Sequence, residues 1–286
     1  MEINNNLGII GHGVVGKAIE SVFKNKFKIF VYDKYVEEYK DLKVVIFNCN
    51  IIFVSVPTPM KESGEVDLEY IKDALEMIEK ERKIQNKKLL IVLRSTITPG
   101  TTDALQKEYP NLRLMFNPEF LTERKYLEDM KETNNVVLGG SNGDMKIVEQ
   151  IYKKVFPEAK YILTNPRTAE MIKYSANATL AGQVIIANEL FNICKKINVD
   201  WKIVRDAIVF DPLIGRNNNV PGPDGDFGFG GKCLPKDLNA LIYTAKLNGY
   251  NPEFLEQIWK SNLKFRKNKN WLDIKGATSE NRFKTI

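Results

Sequence analysis

Gly11-His12-Gly13-Val14-Val15-Gly16 lies between a short apolar run, Leu7–Ile10, and a stretch of helical spacing, Val14–Phe23. A G-x-G-x-x-G set so placed belongs where a strand turns directly into a helix, and it constrains the fold more than any other segment of the chain. The first glycine makes the tight turn, the second lets backbone approach a pyrophosphate, and the third lets helix pack on strand. The exposed helix N-terminus then favours phosphate. Asp33 stands 22 residues beyond Gly11, at the end of the next apolar run, Phe27–Tyr32. A carboxylate there accepts from ribose hydroxyls and repels a 2′-phosphate, which favours NAD over NADP, although Lys34 beside it pulls the other way. Val14 and Val15 open the helix and join the glycines, Asp33 and Lys34 as cofactor-contact candidates. The plainer reading is a glycine-rich turn that holds no ligand.

The pattern continues as strands alternating with helices to about residue 163. Ile51–Val56, Leu89–Leu93, Leu112–Phe116, Val136–Leu138 and Tyr161–Leu163 read as strands, and Leu68–Lys80 and Met145–Val155 as helices. Strands separated by helices predict a mainly parallel, doubly wound sheet with crossovers on both faces. At Thr164-Asn165-Pro166 the pattern changes. Thr168 to about Ile197 reads as one long helix, Val204–Val209 begins another, and helices resume at Asp237–Leu247 and Pro252–Phe265 after a Gly/Pro/Asn-rich loop. The expected organisation is a Rossmann-like α/β domain over 1–163, a helical domain over 164–268, and a basic tail over 269–286.

Composition excludes several classes. The net charge of +6 resides wholly in Lys260–Ile286, where eight basic residues face two acidic ones. The rest of the chain is neutral, so no nucleic-acid face is expected on the body. No apolar run reaches the 18 or so residues of a membrane span, and the N-terminus lacks the features of a signal peptide, so no membrane partner is expected. The three cysteines, Cys49, Cys194 and Cys233, form neither a disulfide framework nor a zinc pattern, so no metal is expected and the expected home is a reducing cytoplasm. His12 is the sole histidine. Acid–base chemistry therefore falls to Asp, Glu, Lys or Cys.

Cys233 follows Gly228-Phe229-Gly230-Gly231-Lys232 and precedes a predicted helix. A thiol near a helix N-terminus, flanked by Lys232 and Lys236, is expected to be acidified and nucleophilic, whereas a lone cysteine is otherwise an inert small hydrophobe. Cys49 and Cys194, in apolar contexts, are assigned to the core. Lys173 and Asn177 share one face of the long helix, where a solvated face is the plain alternative. Glu119 and Glu123 follow a strand, at the end of the sheet where ligands bind in doubly wound folds, or else form an acidic helix start. Ser95-Thr96-Ile97-Thr98-Pro99-Gly100 ends another strand and reads alone as a cap sequence.

Together these segments resemble the UDP-glucose/GDP-mannose dehydrogenase family. The resemblance rests on the glycine motif, Val56-Pro57-Thr58-Pro59, Arg94–Gly100, Asn117–Glu123, Ala169–Asn177, Asn188-Glu189-Leu190 and Gly228–Asp237, in family order over residues 7 to about 245. It implies NAD-dependent oxidation of a nucleotide-sugar C6 alcohol, UDP-glucose first among candidates, to the uronic acid. It also implies a homodimer through the long helix. By this resemblance Cys233 forms a thiohemiacetal and then a thioester, Lys173 and Asn177 stabilise the oxyanion, and Asp237 and Thr96 hold water. Glu119 is the base for hydrolysis, and Thr58, Thr96, Glu123 and Lys236 lie near the cofactor. Glu119, Phe120, Leu121, Lys173, Asn177 and Gly230 would contact substrate.

Three features depart from the family pattern. The expected third, nucleotide-binding domain does not follow, so the chain reads as a short form. The stretch from Asp33 to Ile51 is shorter than usual. The family's Asp-x-Arg-Ile-Gly segment reads Asp211-Pro212-Leu213-Ile214-Gly215, with Arg216 displaced; Arg216 is carried as a substrate-contact candidate. Beyond about Asn270 the tail reads as a solvated linker or as a source of phosphate contacts. Two other readings stand beside this one: a compact dehydrogenase for a smaller sugar or hydroxy acid, and a silent NAD-binding scaffold subunit.

Overall fold

The computed structural model describes residues 5–210, 220–274 and 276–278. The chain divides into two compact units, Met1–Thr58 with Leu68–Lys173, and Pro59–Asp67 with Tyr174–Ile286.

In chain order the first unit runs β1 (Asn6–Ile10), α1 (Val14–Phe23), β2 (Lys28–Tyr32), α2 (Leu42–Asn48), β3 (Ile51–Val54), α3 (Glu69–Gln85), β4 (Leu90–Leu93), α4 (Thr101–Glu108), β5 (Arg113–Phe116), α5 (Tyr126–Lys131), β6 (Asn135–Gly139), α6 (Asn142–Lys153) and β7 (Lys160–Thr164). Among the described residues these strands form one seven-stranded sheet in the order β2-β1-β3-β4-β5-β6-β7. Neighbours pair parallel except β5 and β6, which pair antiparallel through Phe116 and Gly139. The expected Rossmann-like doubly wound architecture is thus present, with one reversal that alternation of strands and helices does not announce.

The strands feed two cores because successive side chains point to opposite faces. Ile52 and Val54 of β3 join Val45, Ile46, Ile71, Leu75 and Ile78 on one face. Ile51 and Phe53 of the same strand join Ala18, Ile19, Phe23, Val148 and Ile151 on the other. The short passage from Asp33 to Ile51 holds a 3-10 turn, Glu37–Tyr39, and α2, which together carry the chain over β1 from β2 to β3. β1 is therefore the strand at which the winding changes direction, and its carboxyl end is where doubly wound sheets bind ligands.

α7 (Pro166–Lys196) starts in the first unit, and the division falls inside it, between Lys173 and Tyr174, against an expected boundary near 164. The second unit adds α8 (Trp201–Val209), α9 (Cys233–Leu247) and α10 (Glu253–Phe265). Ala178, Ala181 and Ile185 of α7 pack with Leu238, Ile242 and Ile258. Cys49 and Cys194 are buried, as their contexts predict.

The tail corrects the sequence reading. Trp271 is 4% exposed, its ring 5.4 Å from that of Trp259, and Ala277 and Thr278 are buried. Met60 bridges to Thr278, and its N–H donates to the Ala277 carbonyl at 2.8 Å. The segment to Thr278 is packed into the second unit, because Trp271 and Ala277 supply the apolar contacts that a count of lysines hides. Residues 279–286 lie outside the described residues, as do Arg216 and the Asp211–Gly215 segment.

Candidate active site

The glycine loop in the first unit is built as the spacing predicts. Gly11 has φ +89°, and a Cβ there would sit 2.5 Å from the Ser55 carbonyl oxygen. A Cβ on Gly16 would lie 2.1 Å from the Gly11 carbonyl oxygen, so only glycine lets α1 approach β1 this closely. Around Gly13 there is no heavy atom within 4 Å of a Cβ position. That open side is what a pyrophosphate needs. Gly13 caps α1 without a side-chain hydrogen bond, and the first turn has no acidic residue, which leaves the N–H groups of this helix start for an anion.

Asp33 stands beside this loop. Its Oδ2 accepts from the His12 N–H at 2.7 Å and its Oδ1 from the Tyr35 N–H at 2.8 Å. His12 Nε2 lies 2.7 Å from Glu20 Oε2, which ties the only histidine to α1. Lys34 is exposed, Thr58 is buried just after β3, and Thr96 is half-buried at the end of β4.

Glu119 and Lys173, far apart in sequence, meet in the same unit. Lys173 Nζ is 3.0 Å from Glu119 Oε1, with side chains 3% and 9% exposed. Glu119 Oε2 accepts from the Leu121 N–H at 2.7 Å. Burial pushes this carboxyl up, but the Lys173 ammonium, the Leu121 N–H and the Arg94 guanidinium outweigh burial and hold it below the usual range. Lys173 also lies 5.6 Å from the centre of the Phe120 ring. Glu123 is exposed.

The sequence reading missed the supports of this pair. Arg94 Nη1 donates to Asn117 Oδ1 and to the Tyr152 hydroxyl, and Asn117 Nδ2 donates to the Val137 carbonyl at 2.7 Å, which fixes Asn117 two residues before Glu119. Glu170, one turn before Lys173 and 0% exposed, accepts from the Gly100 N–H at 2.5 Å, the Thr102 N–H at 2.8 Å and the Thr102 hydroxyl at 2.6 Å. It thereby caps α4 from another element. Burial raises its carboxyl above the usual range, and the Thr102 and Gly100 donors offset part of that. The one signal of Arg94, Asn117 and Glu170 in the sequence is that they lie in the Arg94–Gly100, Asn117–Glu123 and Ala169–Asn177 segments, which gives them no stated role.

The second unit places the other predicted groups. Cys233 is the first residue of α9 and is exposed. One turn on, Asp237 is 1% exposed and accepts from Asn177 Nδ2 through Oδ2 and pairs with Lys236 Nζ through Oδ1. Lys236 is itself buried at 4%, so its ammonium serves Asp237. The loop before Cys233 is clamped by side-chain amides. Asn188 Oδ1 accepts from the Gly228 N–H at 3.0 Å, and Asn270 Oδ1 from the Gly231 N–H at 3.0 Å. Asn262 takes both polar groups of Phe229, at 2.8 Å and 3.0 Å. The space of a Gly230 Cβ is filled by Arg266, whose guanidinium atoms come within 2.5 Å of it.

The sequence profile described as "UDP-glucose/GDP-mannose dehydrogenase family, NAD binding domain" matches residues 17–156, and the family's "central domain" matches residues 167–264. The chain is 35% identical over 221 residues to a UDP-glucose 6-dehydrogenase of Rickettsia prowazekii, a match that covers 75% of this chain and 49% of that protein. It is 32% identical over 235 residues to a GDP-mannose 6-dehydrogenase of Pseudomonas aeruginosa, covering 78% of this chain and 52% of that one. The chain thus spans about half the length of the curated relatives it matches. Its fold is similar to the solved structure of a UDP-glucose dehydrogenase from Pyrobaculum islandicum, with a TM-score of 0.80 and 26% identity over 91% of this chain and 68% of that one.

Proposed function

The chain belongs to the UDP-glucose/GDP-mannose dehydrogenase family, and from that premise we propose that it oxidises the C6 alcohol of a nucleotide sugar, UDP-glucose first among candidates, to the uronic acid through Cys233. One observation carries the reading furthest: an exposed thiol opens α9, with a buried carboxylate one turn behind it held by a lysine and an asparagine.

The residues of the first unit suit a dinucleotide: Gly11 and Gly16 admit no side chain, Gly13 faces open space, and Asp33 is fixed at the loop for ribose hydroxyls. NAD held there would supply the hydride acceptor for both oxidations, two equivalents per sugar. The chain's own residues do the rest. The Cys233 thiolate attacks the C6 aldehyde carbon, forming the C–S bond of a thiohemiacetal. This holds the aldehyde until the second oxidation leaves a thioester. Water then adds, the C–S bond breaks, and the thiolate departs as the carboxylate forms. Glu119, ionised near neutral pH, takes the proton of that water. Lys173 and Asn177 donate to the oxygen on which charge develops, and Asp237 with Thr96 positions water for proton transfer. Thr58, Glu123 and Lys236 are assigned to the cofactor side, and Phe120, Leu121 and Gly230 to the sugar.

We further assign the chain to a homodimer built on α7. Ile186, Leu190, Ile193 and Ile197 form one exposed stripe at helical spacing, three of them more than half exposed. No helix among the described residues is long and apolar enough to cross a membrane; we place the reaction in the cytoplasm, where the thiol stays reduced.

The test is NADH released per sugar with UDP-glucose, GDP-mannose and simple sugars. The reading predicts two equivalents with one nucleotide sugar and no more than one in Cys233→Ala, because the thiol acts only after the first oxidation. One equivalent, unaffected by that substitution, points instead to a compact dehydrogenase of smaller substrates. NAD binding without turnover on any sugar points to a scaffold subunit.

A further inference from the structure

Arg266 ends α10 and is buried, and its guanidinium lies against the loop that leads into Cys233. Its Nη2 donates to Asp224 Oδ2 at 2.5 Å and to Asn270 Oδ1 at 3.2 Å, and its Nε donates to the Asn268 carbonyl at 2.7 Å. A Cβ on Gly230 would come within 2.2–2.5 Å of three guanidinium atoms, so the side chain occupies the room that glycine leaves. Asn270 Oδ1 also accepts from the Gly231 N–H at 3.0 Å, two residues before Cys233. Beside Asp224, Asp226 Oδ2 accepts from the Lys267 and Asn268 N–H groups at 3.1 Å and 2.8 Å. One side chain at the end of α10 is thus joined to both ends of the loop, and all of these groups belong to the second unit.

Five of the ten residues from 222 to 231 are glycine, so this loop has much backbone freedom to lose. Among the described residues its own backbone hydrogen bonds, Gly222 N–H to the Asp226 carbonyl and Gly225 N–H to the Gly222 carbonyl, lie before Phe227. The part next to Cys233 is therefore held from outside. A helix start favours a thiolate only while its first turn is held in place. We propose that Arg266 is a positioning residue for Cys233: it holds Gly230 directly and Gly231 through Asn270, and so fixes the helix start at which the thiol reacts. A lysine there could pair with Asp224, but a single ammonium cannot also fill the space beside Gly230 and reach both Asn268 and Asn270. The assignment rests on the reading of Cys233 as the nucleophile, and its test needs no turnover.

The test is the rate at which iodoacetamide alkylates Cys233, followed by the mass of its peptide from about pH 6 to pH 10 and well below the unfolding transition. The full chain is compared with Arg266→Lys and Arg266→Gln, and circular dichroism shows which variants are folded. The expected result is a rate at pH 7 about 3–10-fold lower in the folded variants, with the same limiting rate at high pH, because a frayed helix start favours the thiolate less. Lys246→Ala is the control: it breaks the Lys246–Glu256 pair between α9 and α10 away from the loop, and it should keep the wild-type profile. If neither Arg266 variant folds, Asn270→Ala removes the link between Arg266 and Gly231 and is expected to lower the rate at pH 7 in the same way. The proposal is overturned by a wild-type profile in a folded Arg266 variant, or in Asn270→Ala where neither folds. It is also overturned by a loss of rate that is equal at every pH, or by an equal shift in Lys246→Ala. A wild-type chain that turns over no sugar would strike the proposed reaction and leave this comparison readable.

Discussion

Glu119 and Lys173 share one buried pair, and each is asked to do chemistry as well as to hold the other. Because Glu119 titrates below the usual carboxylate range, the pair's stabilisation is fully present above about pH 4.5 and is lost as pH falls through the depressed value. Urea unfolding from pH 7 to pH 3 should show Glu119→Ala less stable than wild type by about 3 kcal/mol or more at neutral pH, since Lys173 is left buried and unpaired. That gap should narrow only at the acid end. A constant gap across the range would mean that the pair is not what Glu119 contributes. In steady-state assays Glu119→Gln should lower kcat by roughly 10²–10⁴-fold if it is the base. Cys233, Lys173, Asn177, Asp237 and Glu119, the residues of the proposed site, stand out in the sequence by their motifs, and the structure brings together Glu119 with Lys173 and Asn177 with Asp237. Arg94, Asn117 and Glu170 were not legible as supports, because their partners lie 23, 20 and 68 or more residues away and no local pattern encodes a distant hydrogen bond.

Among the elements, the β1–loop–α1 unit separates the two uses of glycine. Gly16→Ala drives a methyl into the Gly11 carbonyl and should destabilise the fold, read as a lower Tm with or without cofactor. Gly13→Ala meets no protein atom, so its Tm should stay near wild type while NAD affinity, measured by calorimetric titration, falls at least tenfold. Equal damage to Tm from both would contradict this assignment. β1, α1 and α7 were legible because long apolar periods and glycine chemistry fix them locally. α4 was read as a cap sequence, since Leu105 is its one large buried apolar residue and its N-terminus is capped by Glu170 from α7. α5 has six residues, too few to show a helical period. The antiparallel turn into β6 leaves no mark in composition at all.

At the scale of the whole molecule, the +6 charge misled in one respect. It marks where Lys and Arg gather, but Trp271 and Ala277 in the same stretch are core residues of the second unit. Trp271→Ala should cost about 3–5 kcal/mol of that unit's stability, visible as a lowered transition in calorimetry; an unchanged transition would mean the tail is dispensable there. The central claim concerns the covalent step at Cys233. Its most direct test is the mass of the protein quenched in acid during turnover of UDP-glucose with NAD, in Glu119→Gln so that hydrolysis lags. The account predicts an added uronyl nucleotide mass on the peptide that carries Cys233. NADH release without any adduct there, or an adduct on another residue, would contradict it.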